Sequence, residues 1–224
     1  MFKTEPHLHT LEGSNCALIR AVEMIRLYHK AGYKTVFITD HLNDVNIDIY
    51  GDIPWEMKTT AFLSGYYKSK QEGQRLKMNV LPAAEISCVD NPNHYLLYGI
   101  SKEFLDEYPN IHKKTIAEIR EIARKNNIFM VQAHPFRDGK CYPTPEYVDA
   151  FEIYNENPRH DNFTKKAEEF AKNSNIYITC GSDAHRLEDI GVGGVESEQE
   201  IKTVQQYINL IKSGKGRIIR TQET

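Results

Sequence analysis

His7 and His9, two residues apart at the end of the first apolar run, begin a dispersed set of side chains of the types that hold metal ions. Glu12, His41, Glu85, His94, His134, Asp183 and His185 complete the set and spread it over most of the chain. Imidazoles and carboxylates are what Zn, Mn and Fe ions accept as ligands. Side chains two apart on a strand share a face, so His7 and His9 can point into one cavity. Asp183 and His185, in GSDAH, repeat that spacing and would add a carboxylate and an imidazole together. An H-x-H pair alone also fits two hydrogen-bonded polar residues at a loop start. The distant D-x-H pair strengthens the metal reading, because nearly all of these residues fall at ends of predicted strands. A fold that gathered those ends would build a multinuclear centre.

Glu85 closes the apolar strand NVLPAAE, where a carboxylate is costly unless paired or metal-bound, and it can bridge two ions. His41 closes ITDH as a ligand. Asp40 beside it points elsewhere on a regular strand and would orient an imidazole or cap a turn. His134, in QAHPFR, ends its strand just before Pro135. Phosphate chemistry needs positive donors beside the metals, and the guanidinium fork suits it. Arg137 and Arg159, in loops expected on the rim, are the candidates, ahead of Arg186; each also fits an ordinary surface charge. His160, in YNENPRHD, joins Arg137, Arg159 and Asp40 in the candidate catalytic set, while His29 and His112 read as surface residues. There is no G-x-S-x-G or P-loop, and the glycines of GVGGVES read as a loop.

Positioning these residues requires strands that alternate with helices, the pattern of a parallel α/β architecture. Strands are expected up to His9 and over 34–39, 79–85, 94–100, 128–133, 150–154 and 176–180, with a terminal strand at 217–220. Helices are expected over 17–31, 58–76, 114–125, 162–173 and 201–212, and a long loop over 42–55. Only residues 86–93 separate the third strand from the fourth, too few for a helical crossover, so the fourth strand is expected to return antiparallel. Its first residue, His94, would then share a rim with Glu85.

The 224 residues can bury one sizeable core, and no linker or repeat divides them, which predicts a single domain. Hydrophobic content of 40% and charged content of 26% are ordinary for a soluble protein. A net charge of -3 gives no global attraction for nucleic acid or an anionic membrane, so neither is expected as a partner. No apolar stretch approaches the ~18 residues of a membrane span, and MFKTEPHLHT lacks a signal-peptide core. Cys16, Cys88, Cys141 and Cys180 are far apart and read as reduced, mostly structural thiols. A cytoplasmic location is the expectation; oligomeric state is open.

The ordered series HLHT, ITDH, AAEIS, NHYLLYGI, QAHPFR, EIYN and GSDAH resembles the PHP (polymerase and histidinol phosphatase) family over most of the chain. That resemblance implies a distorted (βα)7 TIM-like barrel with two or three divalent ions (Mn, Fe or Zn) at its C-terminal rim. It implies one ion on His7, His9, Glu85 and Asp183, and a second on the shared Glu85 with His94 and His134. A third would sit on His41 and His185, with an extra ligand from the loop after His9. Many members carry that ligand as Asp or His where this chain has Ser14 and Asn15, so Glu12 is the nearest candidate. The family's usual Asp before the first His is replaced by Glu5-Pro6. The activity implied is phosphoester hydrolysis by a metal-activated water, with a small phosphorylated molecule as substrate and Arg159 or Arg137 on the phosphate. A nuclease or phosphodiesterase, an amidohydrolase-type barrel and a non-catalytic metal-binding module are the competing readings. The amidohydrolase type would want a bridging lysine, whereas Glu85 ends the third strand.

Overall fold

In the computed structural model, which describes residues 1–220, the apolar runs assemble edge to edge into one curved sheet. Its strands are β1 (Phe2–Leu8), β2 (Tyr33–Ile38), β3 (His41–Leu42), β4 (Asn79–Ser87), β5 (His94–Tyr98), β6 (Phe129–Gln132), β7 (Ala150–Asn155), β8 (Tyr177–Gly181), β9 (Gly193–Ser197) and β10 (Arg217–Arg220). The helices are α1 (Ala21–Lys30), α2 (Asp44–Ile47), α3 (Trp55–Phe62), α4 (Ser64–Leu76), α5 (Lys102–Glu107), α6 (Ile116–Lys125), α7 (Thr164–Asn173) and α8 (Val204–Ser213). The strand order is β10-β9-β1-β2-β4-β5-β6-β7-β8, with the short β3 paired to β4 off this path. The outer strand β8 comes back beside β1 and β9, so the sheet is a nearly closed, TIM-like barrel of a single domain. A parallel bridge between Leu8 and Ala184 ties the two flanks together at the rim.

Strand alternation sorts the side chains. Phe37 of β2, Ala83 of β4, Leu96 and Tyr98 of β5, Phe129 and Val131 of β6 and Ala150 of β7 share one cluster with Tyr207, Ile208 and Ile211 of α8. This helix thus closes one end of the barrel. Further along the same faces the residues become polar: His7 lies two beyond Glu5, Glu85 two beyond Ala83, and Glu152 two beyond Ala150. The opposite faces pack under helices. Met24, Ile25 and Tyr28 of α1 meet Val36, Ile38 and Val80, while Ile116, Ile119 and Ala123 of α6 meet Tyr95, Leu97 and Phe151. One end of the interior is an apolar plug and the other is left for chemistry.

The antiparallel return of β5 is as expected, with Ser87 opposite His94. Elsewhere the elements depart from the sequence pattern for local reasons. The predicted helix 17–31 begins only at Ala21, because the Leu18 amide donates to the His185 carbonyl (2.9 Å) and the Ala21 amide to Glu12 Oε2 (2.8 Å). The predicted helix 58–76 is two helices, α3 and α4, broken at Leu63. The expected loop 42–55 holds the short helix α2, which Asn43 caps by accepting from the Asn46 amide at 3.0 Å. GVGGVES, read as a loop, contains β9 between β1 and β10. A Cβ on Gly194 would lie 2.6 Å from the Thr4 carbonyl oxygen, and its φ is +130°, so glycine marks a close strand approach there rather than a turn. His112 is also not at the surface: it is buried and stacked on Trp55 at 5.9 Å between ring centroids.

The aromatic plug yields a stability prediction. Phe37 is fully buried, with ring centroids 5.0 Å from Tyr98 and 4.8 Å from Tyr207. Phe37→Ala should cost about 3–5 kcal/mol in urea unfolding, whereas truncating the exposed Leu187 to Ala should stay within about 0.5 kcal/mol. A loss at Phe37 no larger than at Leu187 would contradict the plug.

Candidate metal centre

All of the predicted ligands except Glu12 converge at the polar end of the barrel. The pairing of the H-x-H and D-x-H segments explains why: the His9 amide donates to the Ala184 carbonyl at 2.9 Å and the Ala184 amide to the His7 carbonyl at 3.3 Å. His134 and Asp183 stand at the ends of their strands with φ of 31° and 52°. This left-handed backbone is strained for residues other than glycine and recurs at functional sites.

Four buried atoms in this cluster, His7 Nε2, His9 Nε2, Glu85 Oε2 and Asp183 Oδ1, have no hydrogen-bond partner. His7 Nε2 lies 3.5 Å from Glu85 Oε2 and 3.3 Å from Asp183 Oδ1. For His9 Nε2 the same distances are 3.3 Å and 3.2 Å. These four separations match the edges of a tetrahedron whose corners lie about 2.0–2.1 Å from its centre, the length of Zn–N and Zn–O bonds. Orphaned polar atoms at this depth are costly, and a divalent ion satisfies all four at once. Glu85 then looks outward with its other oxygen, Oε1, which lies 3.1 Å from His94 Nδ1 and 3.0 Å from His134 Nε2. A third group is made by His9, His41 and His185. The residues present therefore fit divalent ions.

The second ring nitrogens are held in ways that aim the first. His7 Nδ1 donates to Glu152 Oε1 at 2.8 Å, and Glu152 Oε2 accepts from the His134 amide and from Asn155. His9 Nδ1 donates to Ser14 Oγ at 3.2 Å; Ser14 in turn donates to Asp40 Oδ1 at 2.9 Å. His185 Nδ1 donates to the Asp183 carbonyl at 2.8 Å. Glu152, Ser14 and Asn155 escaped the sequence reading. Glu152 carried a signal, since a carboxylate inside the apolar run AFEIYN poses the same burial problem as Glu85.

The other candidates take different places. Glu12 turns away from the cluster: it accepts from the Ala21 amide and approaches Lys68 Nζ at 3.4 Å, so it tethers α1 rather than holding an ion. Asp40 organises the loop after β1, accepting from the Thr10 amide (2.6 Å), the Thr10 hydroxyl (2.7 Å) and Ser14. It is a buried brace, not a group open to substrate; a Cβ on Gly13 or Gly65 would collide with it. Arg159 has both ends of its fork on Asp189, at 2.6 and 2.7 Å, and Asp189 accepts from the His185 amide. Its role in the structure is to hold the D-x-H loop. Arg137 reaches the cluster, pairing with Asp183 Oδ2 and donating to Asn155. His160 sits off the cluster in a half-exposed pair with Asp138 at 2.9 Å.

The charges in the centre are strongly biased. Burial and the neighbouring His185 and His41 keep His9 neutral, well below the usual histidine range. Burial, helped by Arg137, pushes His134 down to about 3. Burial also opposes charge on His7 and His41, but carboxylates outweigh it. Glu152, Asp183 and Glu85 hold His7 well above its ordinary value, and Glu85 lifts His41 to about 10. For the Cys16 thiol burial acts upward, yet hydrogen bonds with His185 and His41 bring it down to about 6.

A family model described as PHP-associated matches residues 162–215. A two-domain protein from Bacteroides vulgatus containing a predicted PHP-like metal-dependent phosphoesterase superposes with a TM-score of 0.75 at 14% identity. The alignment covers 98% of this chain and 64% of that one. The chain shares the fold of that predicted PHP-like phosphoesterase. PfuEndoQ, a lesion-specific endonuclease from Pyrococcus furiosus, superposes with a TM-score of 0.63 at 16% identity, over 97% of this chain and 57% of its own. An amidohydrolase from Chromobacterium violaceum with bound sulfate gives 0.59 at 12% identity, over 97% of each chain. This chain thus spans less than two thirds of the first and second of these proteins. No curated protein matches it.

The geometry of this cluster yields two predictions. Glu152→Gln, which removes the carboxylate behind His7, should weaken metal binding roughly 10–100-fold by titration calorimetry, and an unchanged affinity would sink the assigned role. Ion binding must also displace protons from His7 and His41, whose raised values keep them protonated near neutrality. Higher pH removes that competition, so Zn²⁺ should bind more tightly at about pH 8 than at about pH 6 and release protons as it binds. Equal affinity at both, with no proton release, would contradict this.

Proposed function

We propose that this PHP-fold chain is a metal-dependent phosphoesterase acting on a small phosphomonoester. The observation that carries the reading is the convergence of His7, His9, Glu85 and Asp183, with Glu85 turned toward a second pair of imidazoles. Bound there, divalent ions would supply Lewis acidity and lower the pKa of a coordinated water.

The chain's own groups do the positioning. Glu152 and Ser14 engage the Nδ1 atoms of His7 and His9, so that each ring turns Nε2 to the centre, where His7 would give up its proton to an arriving ion. The guanidinium of Arg137 balances Asp183 at the rim, with its side chain 15% exposed, and brings positive charge to where a phosphoryl oxygen would arrive. Arg159 contributes through Asp189 by fixing the His185 loop. The acidic net charge of -3 favours a small substrate over a nucleic-acid strand.

A panel of phosphomonoesters, run beside labelled single- and double-stranded oligonucleotides with Mn²⁺, tests the proposal. Monoester hydrolysis that chelator abolishes and metal restores is expected. Asp183→Asn should lower kcat/KM by about 10²-fold or more, the scale of losing one preorganised electrostatic element. Oligonucleotide cleavage without monoesterase activity would overturn the substrate class. A metal-loaded protein inert on every phosphoester would overturn the enzyme.

A further inference from the structure

The rim loops that follow β6 (133–149) and β7 (156–163) are joined at one residue, Asp138. Its backbone is left-handed, with φ 52° and ψ 20°. A residue other than glycine keeps that conformation only where its surroundings over-determine it. Here three bonds do so. The Asp138 amide donates to the Asp161 carbonyl at 2.7 Å, and the Asp161 amide donates back to Asp138 Oδ1 at 3.1 Å. His160 Nδ1 donates to the second carboxylate oxygen, Oδ2, at 2.9 Å. The Asp161 carboxylate also accepts from the Phe163 amide at 2.8 Å, which folds the tip of the β7 loop onto itself.

Arg137 immediately precedes this clamp, and its guanidinium is held from both flanks of the cleft. Nη2 donates to Asn155 Oδ1 at 3.0 Å and pairs with Asp183 Oδ2, while Nε reaches Asn162 Oδ1 at 3.4 Å. Asn162 belongs to the clamped β7 loop and itself donates to the Asn155 carbonyl at 2.9 Å. These bonds engage Nε and Nη2 and leave Nη1 to meet a phosphoryl oxygen. A single nitrogen aimed in this way depends on the backbone beneath it, because a misplacement of about 1 Å can cost about 10²-fold.

We propose that Asp138 is a positioning residue, whose clamp to Asp161 and His160 aims Arg137 at the substrate's phosphoryl group. The inference rests on the phosphoesterase reading above. Asp138 acts through Arg137 rather than on the reacting atoms. The position asks for a residue that tolerates left-handed backbone and offers an acceptor to the Asp161 amide. Asparagine meets both demands and can still bond His160, with the ring in its other tautomer. Glycine meets only the first.

Binding of inorganic phosphate to the metal-loaded full chain, followed by titration calorimetry, tests the assignment without turnover. Asp138→Gly should weaken phosphate binding about tenfold, whereas Asp138→Asn should keep it within about threefold of the wild type. Zn²⁺ affinity should stay within about threefold in both variants, because the clamp lies outside the metal ligands. On any hydrolysed monoester the loss in Asp138→Gly should fall on KM more than on kcat. In an Arg137→Lys background, Asp138→Gly should add nothing further, since its effect passes through the guanidinium. His160→Ala removes one arm of the clamp from a half-exposed position and should weaken phosphate binding about threefold, a readout that stands even if Asp138→Gly does not fold. Unchanged phosphate affinity in these variants, equal losses for phosphate and metal, or full additivity with Arg137→Lys would overturn the inference. An active phosphoesterase indifferent to Asp138→Gly would overturn it alone. A chain that binds phosphate in the expected pattern yet hydrolyses no phosphoester would overturn the proposed function alone.

Discussion

One buried carboxylate sets the terms for the rest of the molecule. Glu85 is almost wholly removed from solvent, yet five imidazoles surround it: His7, His9 and His41 on one oxygen, His94 and His134 on the other. Burial alone would favour its neutral form, but His41, His94 and His7 hold it well below the usual carboxylate range. Such a charge is tolerable at that depth only with compensation around it. Much of the architecture can be understood as supplying it. The antiparallel β4–β5 hairpin puts His94 on Glu85's own rim, the Leu8–Ala184 bridge lays H-x-H beside D-x-H, and the α8 plug keeps the opposite end apolar.

Two layers of support separate this centre from an accidental cluster of polar groups. The inner layer contains Glu152, Ser14 and the Asp183 carbonyl, each engaging the far nitrogen of one imidazole. The outer layer holds those holders: Asp40 accepts from Ser14, Asn155 donates to Glu152, and Arg159 grips the Asp189 that anchors the His185 amide. Preorganisation of this kind is what lets a metal site keep its geometry without reorganising during a reaction. It also explains why charged residues that look available for substrate, Arg159 above all, are already spent on structure.

The sequence disclosed the convergence because ligand types at strand ends follow a simple rule of alternation, and because the short 86–93 link left β5 only one direction to run. It disclosed much less about loops. Glu12 lies in an irregular segment, and nothing in its spacing from His9 says whether it faces the histidines. That outcome depends on the Leu18 and Ala21 amides choosing the His185 carbonyl and Glu12 as acceptors. β9 was hidden for a related reason: its glycines answer to the nearness of Thr4 and Gly181, which are distant in sequence. His112 looked like a surface residue because the burying ring, Trp55, comes from a segment that read as loop. Glu152 is different, since its burial in an apolar strand was visible and only its role was not.

The central claim is that the orphaned atoms of His7, His9, Glu85 and Asp183 form the coordination shell of a divalent ion. Anomalous diffraction from crystals grown with Zn²⁺ or Mn²⁺ tests it most directly. The account predicts a metal peak within bonding distance of all four atoms, about 2.0–2.2 Å for Zn²⁺. Full occupancy of metal elsewhere on the chain, with the four side chains still facing one another and no peak between them, would contradict it.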